Sequence, residues 1–247
     1  MTPFLPQIDE EIQQFDQSQV LIAGGGPHIS GTDEETFLFE LGFDILFRGP
    51  GEESFIQFGR DILDGKIKKK QSQVYSKGAA MNDFLPVSRY MATLPPLEII
   101  RGCGWRCQYC QTNLQEPQSR SLKSVQTYFE EAKSRGHQRI NFISPSAFEY
   151  KPPDGLDHPL GNIDKLLNMA QANQFKYIEY GIFPSEIRPE SISEKGLSIL
   201  KKYVSNRMIT VGAQSGDPNR LLQLKRAHTL SDIKNAVHLI NQFELMA

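Results

Sequence analysis

From residue 97 onward, short apolar runs alternate with stretches in which apolar residues recur every three or four positions. That alternation is the pattern of buried strands and amphipathic helices in a parallel α/β fold. Residues 97–100 predict a strand that leads straight into a loop rich in cysteine. A helix is expected to start near Ser121, with Val125, Phe129 and Ala132 on one face, and to stop at Gly136. Residues 140–143 predict a second strand, followed by Ser144-Pro145-Ser146 and a Pro/Gly-rich loop that lasts to about Leu160. Ile163, Leu166, Leu167 and Ala170 then give the next helix its apolar stripe. Residues 177–183 predict a third strand, ended by Pro184. Ser191-Ile192-Ser193-Glu194 has the form of a capping box, opening a helix that continues through Leu197, Leu200 and Val204. Residues 208–212 predict a fourth strand. Thr229 and Asp232 are expected to open a fourth helix with Ile233, Ala236, Val237 and Ile240 facing inward, and no fifth strand is expected before Ala247.

The first part of the chain predicts helix, strand, helix, strand, helix. Ile8, Ile12 and Phe15 repeat at helical spacing, residues 19–23 predict a strand, and Gly24-Gly25-Gly26-Pro27-His28 predicts a tight turn. Residues 34–41 and 55–63 predict helices on either side of a second strand at 44–48. Two parallel strands alone bury little surface, so this sheet is expected to have more strands than the chain supplies. Residues 66–96, with Pro86, Pro95 and Pro96, are expected to be a linker. The expected organisation is therefore 1–65, a linker at 66–96, and 97–247.

Composition narrows the class. With 39% hydrophobic and 23% charged residues and a net charge of −2, the chain is an ordinary globular protein with no sign of a polyanionic partner. The basic run at 66–70 lacks aromatic interleaving and a second basic cluster, so it is expected to be a solvated connection rather than a nucleic-acid contact. No Lys or Arg precedes Arg48, which argues against a secretory signal or a transit peptide. No apolar run approaches the roughly 20 residues needed to span a bilayer. A reducing, cytoplasmic location without membrane association is expected.

The candidate chemistry lies in the cysteines. All three sit in one stretch, Arg101-Gly102-Cys103-Gly104-Trp105-Arg106-Cys107-Gln108-Tyr109-Cys110. Such a C-x3-C-x2-C loop can give three thiolates to an iron–sulfur cube, whereas an electron-carrying cluster is ordinarily closed by four cysteines. One corner is left for something other than protein. Structural zinc needs four ligands at paired spacings, and none of the five histidines is near the loop. A disulfide plus a free thiol needs an oxidising compartment, for which nothing in the sequence speaks.

This spacing, with the aromatic Tyr109 just before the last cysteine, resembles the defining loop of the radical S-adenosylmethionine (SAM) enzymes. The resemblance implies that Cys103, Cys107 and Cys110 hold a [4Fe-4S] cluster whose open iron is chelated by SAM. It also implies that an electron from an external donor of flavodoxin or ferredoxin type cleaves the sulfonium to a 5′-deoxyadenosyl radical. Radical SAM enzymes use a six-unit partial barrel, of which 97–247 resembles the first four units, with the chemistry in loops at the carboxyl ends of the strands. Gly212-Ala213-Gln214-Ser215-Gly216, followed by Lys225-Arg226-Ala227-His228-Thr229, looks like the G-x-Q-S-G segment of some subfamilies, including methylthiotransferase relatives. There Gln214 and Ser215 would face the nucleoside, with amide and hydroxyl groups suited to ribose hydroxyls. Tyr109 would pack by the adenine.

The chain departs from the family after the second strand. Where relatives often carry a Gly-Gly-Glu-like segment for the SAM amino group, it has Ser144-Pro145-Ser146-Ala147. The polar run 183–189 after the third strand reads equally as pocket wall or surface turn.

Residues 1–65 look like the second half of the Rossmann-like cobalamin-binding domain that precedes the barrel in many relatives. The elements come in the same order: a glycine turn, the acidic Thr32-Asp33-Glu34-Glu35-Thr36, then residues 43–53. The D-x-H-x-x-G loop that would ligate cobalt is not in the sequence, and His28 is in the wrong place to replace it. Cobalamin binding by this chain alone is therefore not expected. On this reading the chain begins inside one domain and ends inside another, or a second polypeptide completes it. Uncovered strand edges would then make it poorly soluble or oligomeric. Two other functions stay open: a non-catalytic iron–sulfur binding or electron-transfer module, and an inactive fragment of a radical SAM enzyme.

Overall fold

The computed structural model describes residues 5–16, 19–31, 41–67, 73–88, 90–91 and 93–247. The chain falls into two compact units, Met1–Ala80 and Met81–Ala247. The helix expected at 34–41 and the acidic run at 32–36 lie almost wholly outside the described residues, as do three residues of the basic run.

In the first unit, helix α1 (Leu5–Ile12) precedes strand β1 (Ala23–Gly24), a short helix α2 (Pro27–Gly31), strand β2 (Ile45–Phe47), helix α3 (Gly51–Leu63) and strand β3 (Gln73–Tyr75). The three strands form one parallel sheet in the order β1-β2-β3, with Ile45 facing Ala23 on one side and Gln73 on the other. The sheet therefore has a third strand, drawn from the stretch expected to be linker. Phe47, Phe55, Phe58 and Tyr75 join β2, α3 and β3 through ring contacts at 5.4–6.1 Å. Such edge-to-face and offset pairs stabilise by about 0.5–1.5 kcal/mol each beyond their buried area. The glycine turn differs from expectation, because β1 extends into Gly24 and a helix begins at Pro27, a residue whose fixed φ suits the first helical position.

The second unit is built on a parallel sheet in the order β4-β7-β8: β4 (Leu97–Glu98), β7 (Arg139–Ile143) and β8 (Tyr177–Glu179). Leu97 lies opposite Phe142, and Ile140 opposite Ile178. After β4 the chain turns into β5 (Ile100–Arg101), which pairs antiparallel with β6 (Gln118–Ser119) and so closes the base of the cysteine loop. Helices α4 (Leu122–Ser134) and α5 (Pro159–Ala172) pack on the sheet with Val125, Phe129, Ala132, Ile163, Leu166, Leu167 and Ala170 fully buried, as their periodicity predicts. Ser121 caps α4 by accepting from the Ser124 amide, and Gly136 follows the helix with φ +78°, a conformation open to glycine.

Residues 81–96 belong to this second unit. The Met81 amide donates to Gln118 Oε1 at 2.7 Å, and the buried Arg120 guanidinium donates to the carbonyls of Glu98 and Met81 and to Ser124 Oγ. A charged residue is only 4% exposed there because its donors are paired.

Three further expectations are corrected. The third strand ends at Glu179, since Gly181 takes φ +71° and turns the chain out of the extended region. Helix α6 (Glu194–Tyr203) is capped by Ser193, which accepts from the Gly196 amide; Ser191 instead ends a 3-10 turn begun by Pro189, so Glu194 is the first helical residue and no capping box forms. In helix α8 (Leu230–Gln242), Thr229 and Asp232 do form the capping box, and Ala236 and Ile240 face inward, but Val237 is 37% exposed.

Residues 208–212 form no continuous strand. Val211 bridges Ile187 and Met208 bridges Met246, both in parallel sense. The Ile209 amide donates to the Met246 carbonyl at 2.7 Å, so the fourth strand position has a neighbour in the chain's last residues, contrary to expectation. A short helix α7 (Pro218–Gln223), capped by Asp217, interrupts the loop before α8 and was not signalled by periodicity. Among the described residues no helix is long and apolar enough to cross a membrane.

Candidate functional site

The cysteine loop leaves the sheet at Gly102, which has φ +75°. A Cβ built at Gly102 would stand 2.4 Å from the Glu116 carbonyl oxygen and 2.6 Å from that of Gln115. The two limbs of the loop thus touch backbone to backbone, and only glycine allows both the dihedral and the approach. Farther along, the Cys110 amide donates to the Cys107 carbonyl at 3.1 Å, and Asn113 Nδ2 donates to the same oxygen at 3.1 Å. The Gln108 amide donates to the Leu224 carbonyl at the end of α7, joining the loop to the segment after the fourth strand position.

All three cysteines are free thiols; Cys107 is buried, and Cys103 and Cys110 are half-buried. They line one cavity of about 280 Å³ together with Trp105, Tyr109, Gln214 and Arg226, among others. Among the described residues no three His, Cys, Asp or Glu side chains come together in a way that could hold a single metal ion. Three free thiols on one cavity wall are nonetheless the donor chemistry that an iron–sulfur cluster takes. Burial pushes the Cys103 thiol above its ordinary pKa, the Trp105 amide pulls it down by donating to the sulfur, and the nearby Glu149 charge adds to the upward shift.

Trp105 is clamped on two sides. Its indole N–H donates to Glu149 Oε1 at 2.6 Å, and the Arg188 guanidinium lies 3.9 Å from its ring centroid. Arg188 is itself 6% exposed and held by Glu190, with Nε donating to Oε1 at 2.7 Å. A buried cation stacked on an aromatic ring contributes on the order of 2 kcal/mol. The span between the first two cysteines is therefore anchored through Trp105 to Glu149 and Arg188. A second cavity, about 610 Å³, shares Cys103, Trp105 and Pro145 with the first and also borders Ser146, Glu149 and Lys151.

The structure brings Gln214 and Tyr109 to the cysteines but not Ser215. Gln214 lines the first cavity from a left-handed backbone, φ +66°, which costs a non-glycine residue roughly 1–2 kcal/mol. Ser215 Oγ instead accepts from the Asp217 amide at 3.1 Å, holding the turn into α7. Tyr109 is half exposed, its hydroxyl accepting from Arg226 Nη1 at 3.3 Å, and desolvation raises its pKa despite the arginine. Glu186 and Arg188, from the polar run after the third strand, line the cavity too.

Sequence reasoning gave no role to Arg226, Trp105 or Glu149, and named Arg188 only within the run 183–189. Arg226 Nη1 lies 3.3 Å from Cys107 Sγ, and its Nη2 donates to the Gly212 carbonyl at 2.7 Å. His228, 3% exposed, is within 3.0 Å of the Ala213 carbonyl through Nε2, and burial holds its pKa below the usual histidine value. The Lys225-Arg226-Ala227-His228 string was the available signal, but nothing in it specifies which cysteine it reaches.

Residues 97–245 match the Radical SAM superfamily. An uncharacterized protein of Methanocaldococcus jannaschii is 28% identical over 164 residues, covering 62% of this chain and 30% of the relative. An uncharacterized methyltransferase of Pyrococcus horikoshii is 26% identical over 135 residues, covering 45% of this chain and 29% of its own length. The fold is similar to the cobalamin-dependent S-adenosylmethionine radical enzyme OxsB with aqua-cobalamin and S-adenosylmethionine bound, at a TM-score of 0.64 and 16% identity over 98% of this chain and 37% of OxsB. The same enzyme without S-adenosylmethionine, with aqua-cobalamin bound, gives a TM-score of 0.63. The chain thus spans about 30% of the length of these curated relatives.

Proposed function

Since the chain belongs to the radical SAM superfamily, we propose that Cys103, Cys107 and Cys110 hold a [4Fe-4S] cluster at the cavity they line and that the chain cleaves SAM reductively to a 5′-deoxyadenosyl radical. The observation that carries this reading is the cavity itself: three free thiols from one loop, with Tyr109 and Gln214 on its wall. When bound, the cluster supplies one-electron chemistry that no side chain here can.

The protein's own groups bind and orient. Gln214 presents an uncharged amide, and its strained backbone at the cavity wall is the kind of feature retained where geometry matters to a ligand. The half-exposed Tyr109 ring offers an apolar face for a purine. The Trp105 clamp holds the loop in shape. Ser215 supports the turn that sets Gln214, a more indirect role than contact with the nucleoside. The electron is supplied by an external flavodoxin- or ferredoxin-type donor, and residues 97–247 act as the first four units of a six-unit partial barrel.

The test is EPR of the reduced, reconstituted protein with and without SAM. A change in g-values or line shape on adding SAM is expected. A signal indifferent to SAM would favour the non-catalytic iron–sulfur module or the inactive fragment.

The three-stranded parallel sheet of the first unit is consistent with a Rossmann-like domain, and we read it as part of a cobalamin-binding-type domain. His28 is exposed and sits on α2 rather than in a D-x-H-x-x-G loop. Purified chain incubated with hydroxocobalamin and desalted should retain well under one equivalent, read from the corrin absorbance. Stoichiometric retention would overturn that expectation.

A further inference from the structure

We propose that Arg226 is a positioning residue for the cluster, donating a hydrogen bond to the Cys107 sulfur and thereby raising the potential at which the cluster accepts an electron. The inference rests on the cluster assignment made above. The guanidinium has five N–H donors in a fixed plane. Nη1 lies 3.3 Å from both Cys107 Sγ and Tyr109 Oη. Nη2 donates to the Gly212 carbonyl at 2.7 Å and lies 3.4 Å from His228 Nδ1. Among the described residues, the buried Nε meets no hydrogen-bond partner.

The plane of the guanidinium is set from behind. His228 Nε2 lies 3.0 Å from the Ala213 carbonyl, which can only accept, so that nitrogen carries the proton. Nδ1 lies 3.4 Å from Arg226 Nη2 and 3.5 Å from Glu190 Oε2, so the ring is held from three sides. The Gly212 and Ala213 carbonyls, two neighbours on one loop, thus fix both side chains, and Nη1 at the edge of the guanidinium is left for the sulfur and the Tyr109 hydroxyl. Cys107 is the most buried of the three cysteines, 5% exposed, so its sulfur is poorly placed to be solvated by water, and Arg226 supplies the donor.

Reduction adds negative charge to the cluster and its sulfurs. A hydrogen bond and a fixed positive charge at one of those sulfurs stabilise the reduced state more than the oxidised one, and such contacts are among the protein's levers on iron–sulfur potentials. Removing the contact lowers the potential. Arg226 also joins the cysteine loop to the loop bearing Gln214, so the same residue ties the cluster to the second wall of the cavity.

The experiment is an EPR-monitored redox titration of the reconstituted protein, comparing wild type with Arg226→Gln, Arg226→Lys and Lys225→Gln. Lys225 is the exposed neighbouring cation and controls for loss of charge in general. Arg226→Gln is expected to make reduction about tenfold less favourable, a fall of about 59 mV for one electron. Arg226→Lys, which keeps the charge but not the fork, should recover part of the loss, and Lys225→Gln should leave the midpoint in place. A midpoint unmoved in both Arg226 variants, or moved as far in Lys225→Gln, overturns the proposal while the cluster assignment stands. Wild-type protein that takes up no iron overturns the cluster assignment, and this inference with it.

Discussion

Replacing any one of Cys103, Cys107 and Cys110 with alanine is expected to abolish most of the iron and acid-labile sulfide bound after anaerobic reconstitution, with the brown absorbance falling by about tenfold or more. The physical reason is the count of ligands. The three cysteines on the cavity wall are all the chain has, so no other thiol can substitute. A cube tethered through two sulfurs has two corners open to solvent ligands and exchange. The three positions differ in a way that makes the series informative. Cys107 is buried against Arg226, whereas Cys103 and Cys110 are half-buried, so Cys107→Ala also leaves the guanidinium facing a void. That variant should lose some thermal stability in the apoprotein, where the other two should not. Full iron and sulfide in any one of the three would mean that the cluster, if present, is held in some other way.

How much of this could be read from the sequence depended on the distance over which each interaction acts. Helices α4, α5 and α8 were legible because their apolar stripes and the Thr229–Asp232 cap are local, encoded within a few residues. The cysteine loop was legible for the same reason. The β5–β6 pair was not, since Gln118 and Ser119 carry no strand pattern, and the pairing is imposed by closing the loop back onto Ile100 and Arg101. Strand β3 was hidden in a polar stretch, its place set by Phe47 and Tyr75 stacking rather than by its own periodicity. Serine choice at the start of α6 turned on Pro189, which begins a 3-10 turn and moves the cap from Ser191 to Ser193.

The missed parts of the candidate site are all long-range. Trp105 meets Glu149 across 44 positions, and Arg226 meets Cys107 across 119. Composition and spacing mark these residues as polar or aromatic and no more. Only the parallel sheet, by placing several post-strand loops at one end, makes neighbours of them.

Gly102→Ala should be the most damaging single change outside the cysteines. At φ +75° an alanine pays roughly 1–2 kcal/mol for the left-handed backbone alone. Its methyl would also stand 2.4 Å from the Glu116 carbonyl oxygen and 2.7 Å from the carbonyl carbon. Those are backbone atoms, so no side-chain rotation relieves the clash, and the 115–116 limb has to move away from the 101–103 limb. Relief by movement pulls apart β5 and β6, which set the spacing of Cys103 relative to Cys107 and Cys110. The expected result is twofold: a melting temperature lower by roughly 5 °C or more, at about 2–4 °C per kcal/mol for a unit of this size, and severalfold less iron taken up. Gly104→Ala is the comparison, because a Cβ there meets only the Pro117 ring, at 3.7 Å, an ordinary contact. It should fold and load iron much as the wild type does. If Gly102→Ala melts and binds iron like Gly104→Ala, the loop does not depend on the close approach at its base, and the sulfur spacing must be set by the Trp105 clamp and the Leu224 carbonyl instead.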